Sequence, residues 1–251
     1  MNVSPDGLGV KNVRLVLEYD GTDFCGWQRQ RRVRTVEGDL AEAIERIQGQ
    51  EPDIIAAART DSGVHALGQV ANFTSVSPIE AAEFKGALNA QLASDVRVLD
   101  AGEVPLAFNA RYDARSRIYR YIVSWRPTAV WRNYRWHVAW PLDVDSITEG
   151  MEGLIGEHDF SAFTCKDEDR SPRICLYEAS VREIEPDVLE MRFTANRFLR
   201  RMVRMLVGTY VEVGRGKMNP SAPCDILSSR DRQRAGPCAP PHGLYLVGVE
   251  Y

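Results

Sequence analysis

Residues 13–48 read VRLVLEYDGTDFCGWQRQRRVRTVEGDLAEAIERIQ, and the two ends of this stretch follow different periods. The run 13–19 (VRLVLEY) is β-branched and alternating, which argues for a strand, and Asp20-Gly21 supplies the turn after it. An arginine-rich loop follows. Thr35 is then a suitable N-cap, and Val36, Leu40, Ile44 and Ile47 recur at helical spacing, so Val36–Gln48 is expected to form an amphipathic helix.

Downstream, 54–58 and 69–74 read as strands around the turn 59–63, 78–92 as a helix and 96–101 as a strand. The second half follows the same order: a strand over 118–125, a helix over 144–155, a hairpin of 176–184 and 188–195 around Pro186-Asp187, and a helix over 197–213. The Pro- and Ser-rich stretch 214–243 holds one short helix near 224–229, and 244–251 (LYLVGVEY) ends the chain as an apolar strand. Each half therefore runs strand, helix, two strands, helix, strand. The expected fold class is α+β: two ferredoxin-like, split βαβ halves with antiparallel sheets forming a central cleft. The expected division is a flexible tail over 1–11, an N-terminal half over 12–113 and a C-terminal half over 114–251.

With 44% hydrophobic, 26% charged and 9% aromatic residues in 251, global disorder, collagen and coiled coil are excluded. No apolar run approaches the roughly 18–20 residues of a membrane span, and MNVSPDGLGVK at the start lacks a hydrophobic signal core, so a cytoplasmic protein without membrane contact is expected. Five cysteines without a C-x-x-C pair predict reduced thiols, and four scattered histidines predict no metal. The net charge of −4 argues against a large nonspecific nucleic-acid binder. Yet all but four of the 31 basic residues are arginines, whose planar fork suits phosphates and bases. They cluster at 29–34, 111–120, 126–135 and 197–204, as solvated faces with carboxylate partners or as a local basic track.

Three places can carry chemistry. The first is Ala58-Arg59-Thr60-Asp61-Ser62-Gly63-Val64-His65-Ala66. An Asp before Ser-Gly is commonly an Asx-turn, with its side chain bonded to nearby N–H groups. Flanked by Arg59 and His65, it also suits a carboxylate held ionised as nucleophile or base. The second is the helix expected from Arg197, where Arg197, Arg200, Arg201 and Arg204 fall within an arc of about 100°. That face is either solvated or matched to an anion, since like charges one turn apart repel. The third is the strand in which Tyr119 and Tyr121 share a face opposite Arg120, as core or as a platform for a nucleobase.

Taken together, Glu18-Tyr19-Asp20-Gly21-Thr22, Gly26-Trp27-Gln28-Arg29-Gln30, Arg59 to Ala66, Tyr119-Arg120-Tyr121, Gly156-Glu157-His158-Asp159-Phe160, Asn196-Arg197-Phe198 with Met202-Val203-Arg204, and Gly243-Leu244-Tyr245-Leu246-Val247 resemble the tRNA pseudouridine synthase A (TruA) family, in its order and over essentially the whole chain. The resemblance implies an isomerase that converts uridine to pseudouridine at positions 38 to 40 of the anticodon arm, a homodimer of two-half subunits with tRNA as partner and no metal or organic cofactor. It also implies that Asp61 is the catalytic aspartate, Tyr119 the stacking tyrosine, Arg204 the active-site arginine, and Arg59 the arginine that helps extrude the target base. Further substrate contacts are expected from Arg29, Arg31, Arg197, Arg201 and Leu244. Where the family often shows Gly-Arg-Thr-Asp-Ala-Gly, this chain has Ala58 and Ser62 at the two variable places. Two rivals fit less well: a noncatalytic RNA-binding module leaves Asp61 unexplained, and a nucleosidase usually needs a second carboxyl at a defined separation.

Overall fold

The computed structural model describes residues 9–165 and 171–251, so most of the tail expected over 1–11 lies outside the described residues. The chain divides into two compact units, Met1–Arg115 with Leu246–Tyr251, and Ser116–Tyr245. The fold is mixed α/β, and its strands pair mostly antiparallel. No helix among the described residues is long and apolar enough to cross a membrane.

The first unit contains β1 (Lys11–Tyr19), α1 (Val36–Gln48), β2 (Ile55–Ala56), β3 (His65–Ser75), α2 (Phe84–Asn89) and β4 (Val96–Val104). β1 lies between β4 and β3, antiparallel to both, and β2 pairs with β3 through Ile55↔Asn72 and Ala56↔Ala71. The alternation seen in sequence holds: Val13, Leu15 and Leu17 are fully buried. α1 has its expected bounds because both ends are capped. Thr35 accepts a hydrogen bond from Gly38 N–H (3.3 Å), and Gly49, left-handed at φ 73°, donates to Glu45 O (2.7 Å).

Two elements are shorter than expected. The helix expected over 78–92 is a 3₁₀ turn (Ala81–Glu83) running into α2, and Asn89 at its end bonds both the N–H and the C=O of Val98 on β4 (2.8 and 2.9 Å). The Gln69 amide likewise donates to Ala58 O (2.7 Å) and accepts from Ala58 N–H (3.3 Å), ending β2 early.

The second unit contains β5 (Ser116–Ser124), β6 (Trp136–His137), α3 (Val144–Glu152), β7 (Gly156–Asp159), β8 (Arg173–Glu185), β9 (Val188–Ala195), α4 (Met202–Gly214) and α5 (Ala222–Ser229). Its strands run β5-β9-β8-β7, all antiparallel, with β6 parallel to β5. The expected hairpin is β8-β9, turning at Asp187 with φ 66°. β10 (Leu244–Glu250) starts here and counts with the first unit from Leu246 on. Neither β6 nor β7 was expected, since Trp-His and Gly-Glu-His-Asp show no alternation.

The helix expected over 197–213 is corrected to α4, which starts at Met202 after Arg201 in the left-handed region (φ 61°). Before it, Asn196 stays tied to β8, its N–H donating to Cys175 O and its side chain accepting from Cys175 N–H (both 3.1 Å). Arg197, Arg200 and Arg201 therefore do not form a helix face with Arg204. α4 is buried nearly all round, from Met202 to Gly214, as an apolar helix in a core is, and Tyr210 stacks on Phe193 of β9 with ring centroids 6.3 Å apart.

In the first unit, the loop after β1 clasps the turn before β3. Trp27 N–H donates to Thr60 O (3.1 Å), while Gly63 N–H and Ser62 Oγ donate to Phe24 O (3.3 and 3.1 Å). The Tyr19 and Thr60 hydroxyls bond at 2.7 Å, and Gly21 N–H donates to Nδ1 of buried His65 (3.0 Å). The loop is held from its far side: Cys25 N–H donates to Arg34 O (2.9 Å), and the Arg34 guanidinium grips Asp95 bidentately (2.6 and 2.9 Å) and lies 4.1 Å from the Phe24 ring centroid. Only glycine fits at position 21, where an added Cβ would stand 2.0 Å from Val64 O. Gly21→Ala is expected to lower stability by about 1–3 kcal/mol through this backbone clash. Gly102→Ala on β4, where a Cβ meets nothing within 4 Å, should change it by less than about 0.5 kcal/mol. Urea unfolding midpoints of the two variants check the contrast.

Candidate active site

The clasped turn carries Asp61, half-buried between exposed Arg59 and exposed Ser62. Its carbonyl accepts from Val64 N–H (3.2 Å) and closes the turn. The N–H two residues on, which an Asx-turn would use, is that of Gly63 and goes to Phe24 O. The backbone on both sides of Asp61 is thus held by residues of the loop after β1. His65, expected beside the carboxylate, is buried and its Nδ1 lies 3.1 Å from Asp20 Oδ1. Gly21 N–H also lies 3.0 Å from Nδ1, so the buried ring is engaged with the loop at 20–21. Thr60 is buried and holds the hydroxyl of Tyr19, whose ionisation burial pushes far above its ordinary range.

In the second unit, Tyr119 and Tyr121 lie on one face of β5, as alternation requires, and Arg120 lies on the other, 4.8 Å over the Tyr245 ring and 3.7 Å from Glu190. Tyr119 is buried, with its ring edge-to-face against Phe198 at 5.0 Å. Tyr121 donates to Pro240 O (2.8 Å), and burial keeps its phenol protonated against the opposing pull of the Arg204 guanidinium.

Arg204, in the first turn of α4, donates from Nε to Ala239 O (2.7 Å), while Ala239 N–H returns a bond to Arg204 O (3.0 Å). The segment carrying Ala239 lies directly on α4: a Cβ on Gly208 would come 1.6 Å from Pro237 O. Sequence reading missed this support. The stretch 214–243 looked like a connector, whereas its end holds the arginine by the backbone, and the glycine at 208 was its one visible trace. It also missed Phe198 as the ring partner of Tyr119.

The other expected contacts are dispersed. Arg31 and Arg201 are exposed. Arg29 pairs with Glu51, and Arg197 donates to Ser171 O and Arg173 O (2.7 and 2.9 Å), which ties it to the chain before β8. Leu244 is buried at the start of β10. Among the described residues no three His, Cys, Asp or Glu side chains gather as a metal site requires.

A family profile described as tRNA pseudouridine synthase matches residues 15–113 and 151–251, which include the clasped turn and the whole of α4. The chain is 42% identical over 247 residues to tRNA pseudouridine synthase A of Thermoanaerobacter sp. (strain X514), covering 96% of this chain and 100% of that one. It is 41% identical over 245 residues to the protein of that name from Caldicellulosiruptor bescii, and 41% over 244 residues to that from Acetivibrio thermocellus, with 96% and 100% covered in both. This chain belongs to the TruA family of tRNA pseudouridine synthases, isomerases that convert uridine to pseudouridine in tRNA.

Proposed function

We propose that the chain modifies the anticodon arm of tRNA at positions 38 to 40, with Asp61 as its single catalytic carboxylate. The observation that carries this reading is the clasp: bonds from Trp27, Gly63, the Ser62 hydroxyl and the Tyr19–Thr60 pair hold the turn that bears half-buried Asp61, so the place of its carboxylate is set as the chain folds. Moving the glycosidic bond of uridine from N1 to C5 is redox-neutral and needs no second substrate. Asp61 attacks C1′ or C6, or removes a sugar proton on the way to a glycal. Arg204 keeps the carboxylate ionised and oriented, and Tyr119 stacks on the detached uracil until it rotates and rejoins. Arg59 helps to evert the nucleotide, a step that costs a few kcal/mol.

Contacts from Arg31 and Arg201, from the remaining donors of Arg29 and Arg197, and from Leu244 offset that cost. Two ferredoxin-like halves about a cleft belong to the same reading, supported in the first unit by the order β4-β1-β3 with β2 beyond it. So does a cytoplasmic homodimer, which rests on the resemblance and is checked by light scattering on the eluting protein.

Unmodified tRNA transcript incubated with the purified chain should acquire carbodiimide-dependent reverse-transcription stops at positions 38 to 40. Asp61→Asn is expected to slow their appearance by about 10³-fold or more while tRNA affinity stays within a few-fold. Rapid turnover by this variant refutes the assignment. Arg204→Ala should depress the single-turnover rate far more than affinity. Arg31→Ala should instead weaken binding and flatten the dependence of log Kd on log salt by about one phosphate's worth. Equal effects of Arg204→Ala and Arg31→Ala on rate and affinity would contradict that division.

A further inference from the structure

Cys165 lies beneath two guanidinium groups that reach it from different parts of the second unit. Arg201 Nη1 stands 3.7 Å and Arg232 Nη2 3.5 Å from its Sγ. The two nitrogens are therefore no further apart than these contacts laid end to end. A thiol is a weak acceptor and does not neutralise a guanidinium. Among the described residues no carboxylate pairs with either arginine, and both are exposed.

The arrangement is built. Arg201 is the N-cap of α4, a helix with no acidic residue in its first turn, and Thr164 Oγ1 donates to Arg200 O (3.0 Å), tying the loop that bears Cys165 to the turn that bears Arg201. Arg232 opens a 3₁₀ turn whose N-cap, Asp231, accepts from Gln233 N–H (2.9 Å). One residue before that cap, Arg230 is anchored by Asp159 (3.2 Å). Two like charges and the positive end of a helix converge here, and an anion between them removes the repulsion. A phosphodiester fits best: it offers oxygens to both planar forks at once.

We propose that Arg201 and Arg232 share one backbone phosphate of the bound tRNA strand. This rests on the reading of the chain as a tRNA-modifying enzyme and gives the segment around 230–234 a role in substrate binding. Sharing makes a sharp demand on the salt dependence. Arg201→Ala and Arg232→Ala should each weaken binding of unmodified tRNA about three- to tenfold and each flatten the plot of log Kd against log salt by about 0.7–0.9. The double variant should be no flatter than either single one, and Arg232→Lys should restore most of the slope. Thermal melts of all variants establish that they are folded.

A slope loss in the double variant equal to both single losses added together would mean two separate phosphates and would overturn the proposal. An unchanged slope in Arg232→Ala would also overturn it. Pseudouridine formation by the unsubstituted protein is read in parallel. Its absence would defeat the enzymatic reading, whereas the slopes judge the clamp.

Discussion

The contact between the loop at 20–27 and the turn at 60–65 is the constraint on which the placement of Asp61 depends. A carboxylate on a free surface turn would sample many rotamers and backbone states, and each would have to be frozen out when substrate binds. Here that ordering accompanies folding. Backbone bonds from Trp27 and Gly63, the Ser62 hydroxyl and the Tyr19–Thr60 pair fix the turn, and the absence of a side chain at Gly21 lets the two backbones approach. Arg34, gripping Asp95 and covering Phe24, transmits the rigidity of β4's approach and of α1 to the loop.

The second unit solves a comparable problem with a buried helix. Because α4 is apolar nearly all round, its position is set by packing, and an arginine in its first turn inherits that precision. The reciprocal bonds with Ala239 fix the side chain at Nε, so the guanidinium is oriented from the backbone outward. An Arg-to-Lys change here would keep the charge and lose the Nε donor, which makes orientation and charge separable properties of this position.

Much of this was legible in the sequence, and the part that was not has physical causes. Period and capping gave α1 to the residue because Thr35 and Gly49 close both ends locally. The alternation of β1, and of β5 with its two tyrosines on one face, was equally direct. The failures come from side chains bonding the backbone of another segment: Gln69 takes both polar groups of Ala58 and ends β2, and no local pattern announces it. The start of α4 was misjudged because angular arithmetic presumes an unbroken helix, while Asn196 and the left-handed Arg201 hold 196–201 out of it. The motif at 58–66 singled out the turn that bears Asp61, but the groups that hold this turn lie 33 to 44 residues earlier, in a loop whose motifs carry no sign of which turn they clasp.

The arginines show why composition misleads for such a protein. Many are neutralised where they stand: Arg14 by Asp100, Arg34 by Asp39 and Asp95, Arg46 by Glu42, Arg135 by Glu185, Arg182 by Glu190 and Arg215 by Glu212. The exposed pairs among these, such as Arg46–Glu42, contribute at most about 1 kcal/mol each to stability, so their larger effect is to cancel field. The remainder includes Arg31, Arg59, Arg201 and Arg232, which have no carboxylate partner among the described residues. A net charge of −4 is compatible with local phosphate affinity because screening confines each charge's reach to about 10 Å, and acids beyond that distance do not offset a cluster of guanidinium groups. On the proposed function, confinement also favours selectivity: where acidic side chains dominate they oppose an RNA strand, so the arginines without a carboxylate partner would serve both binding and placement.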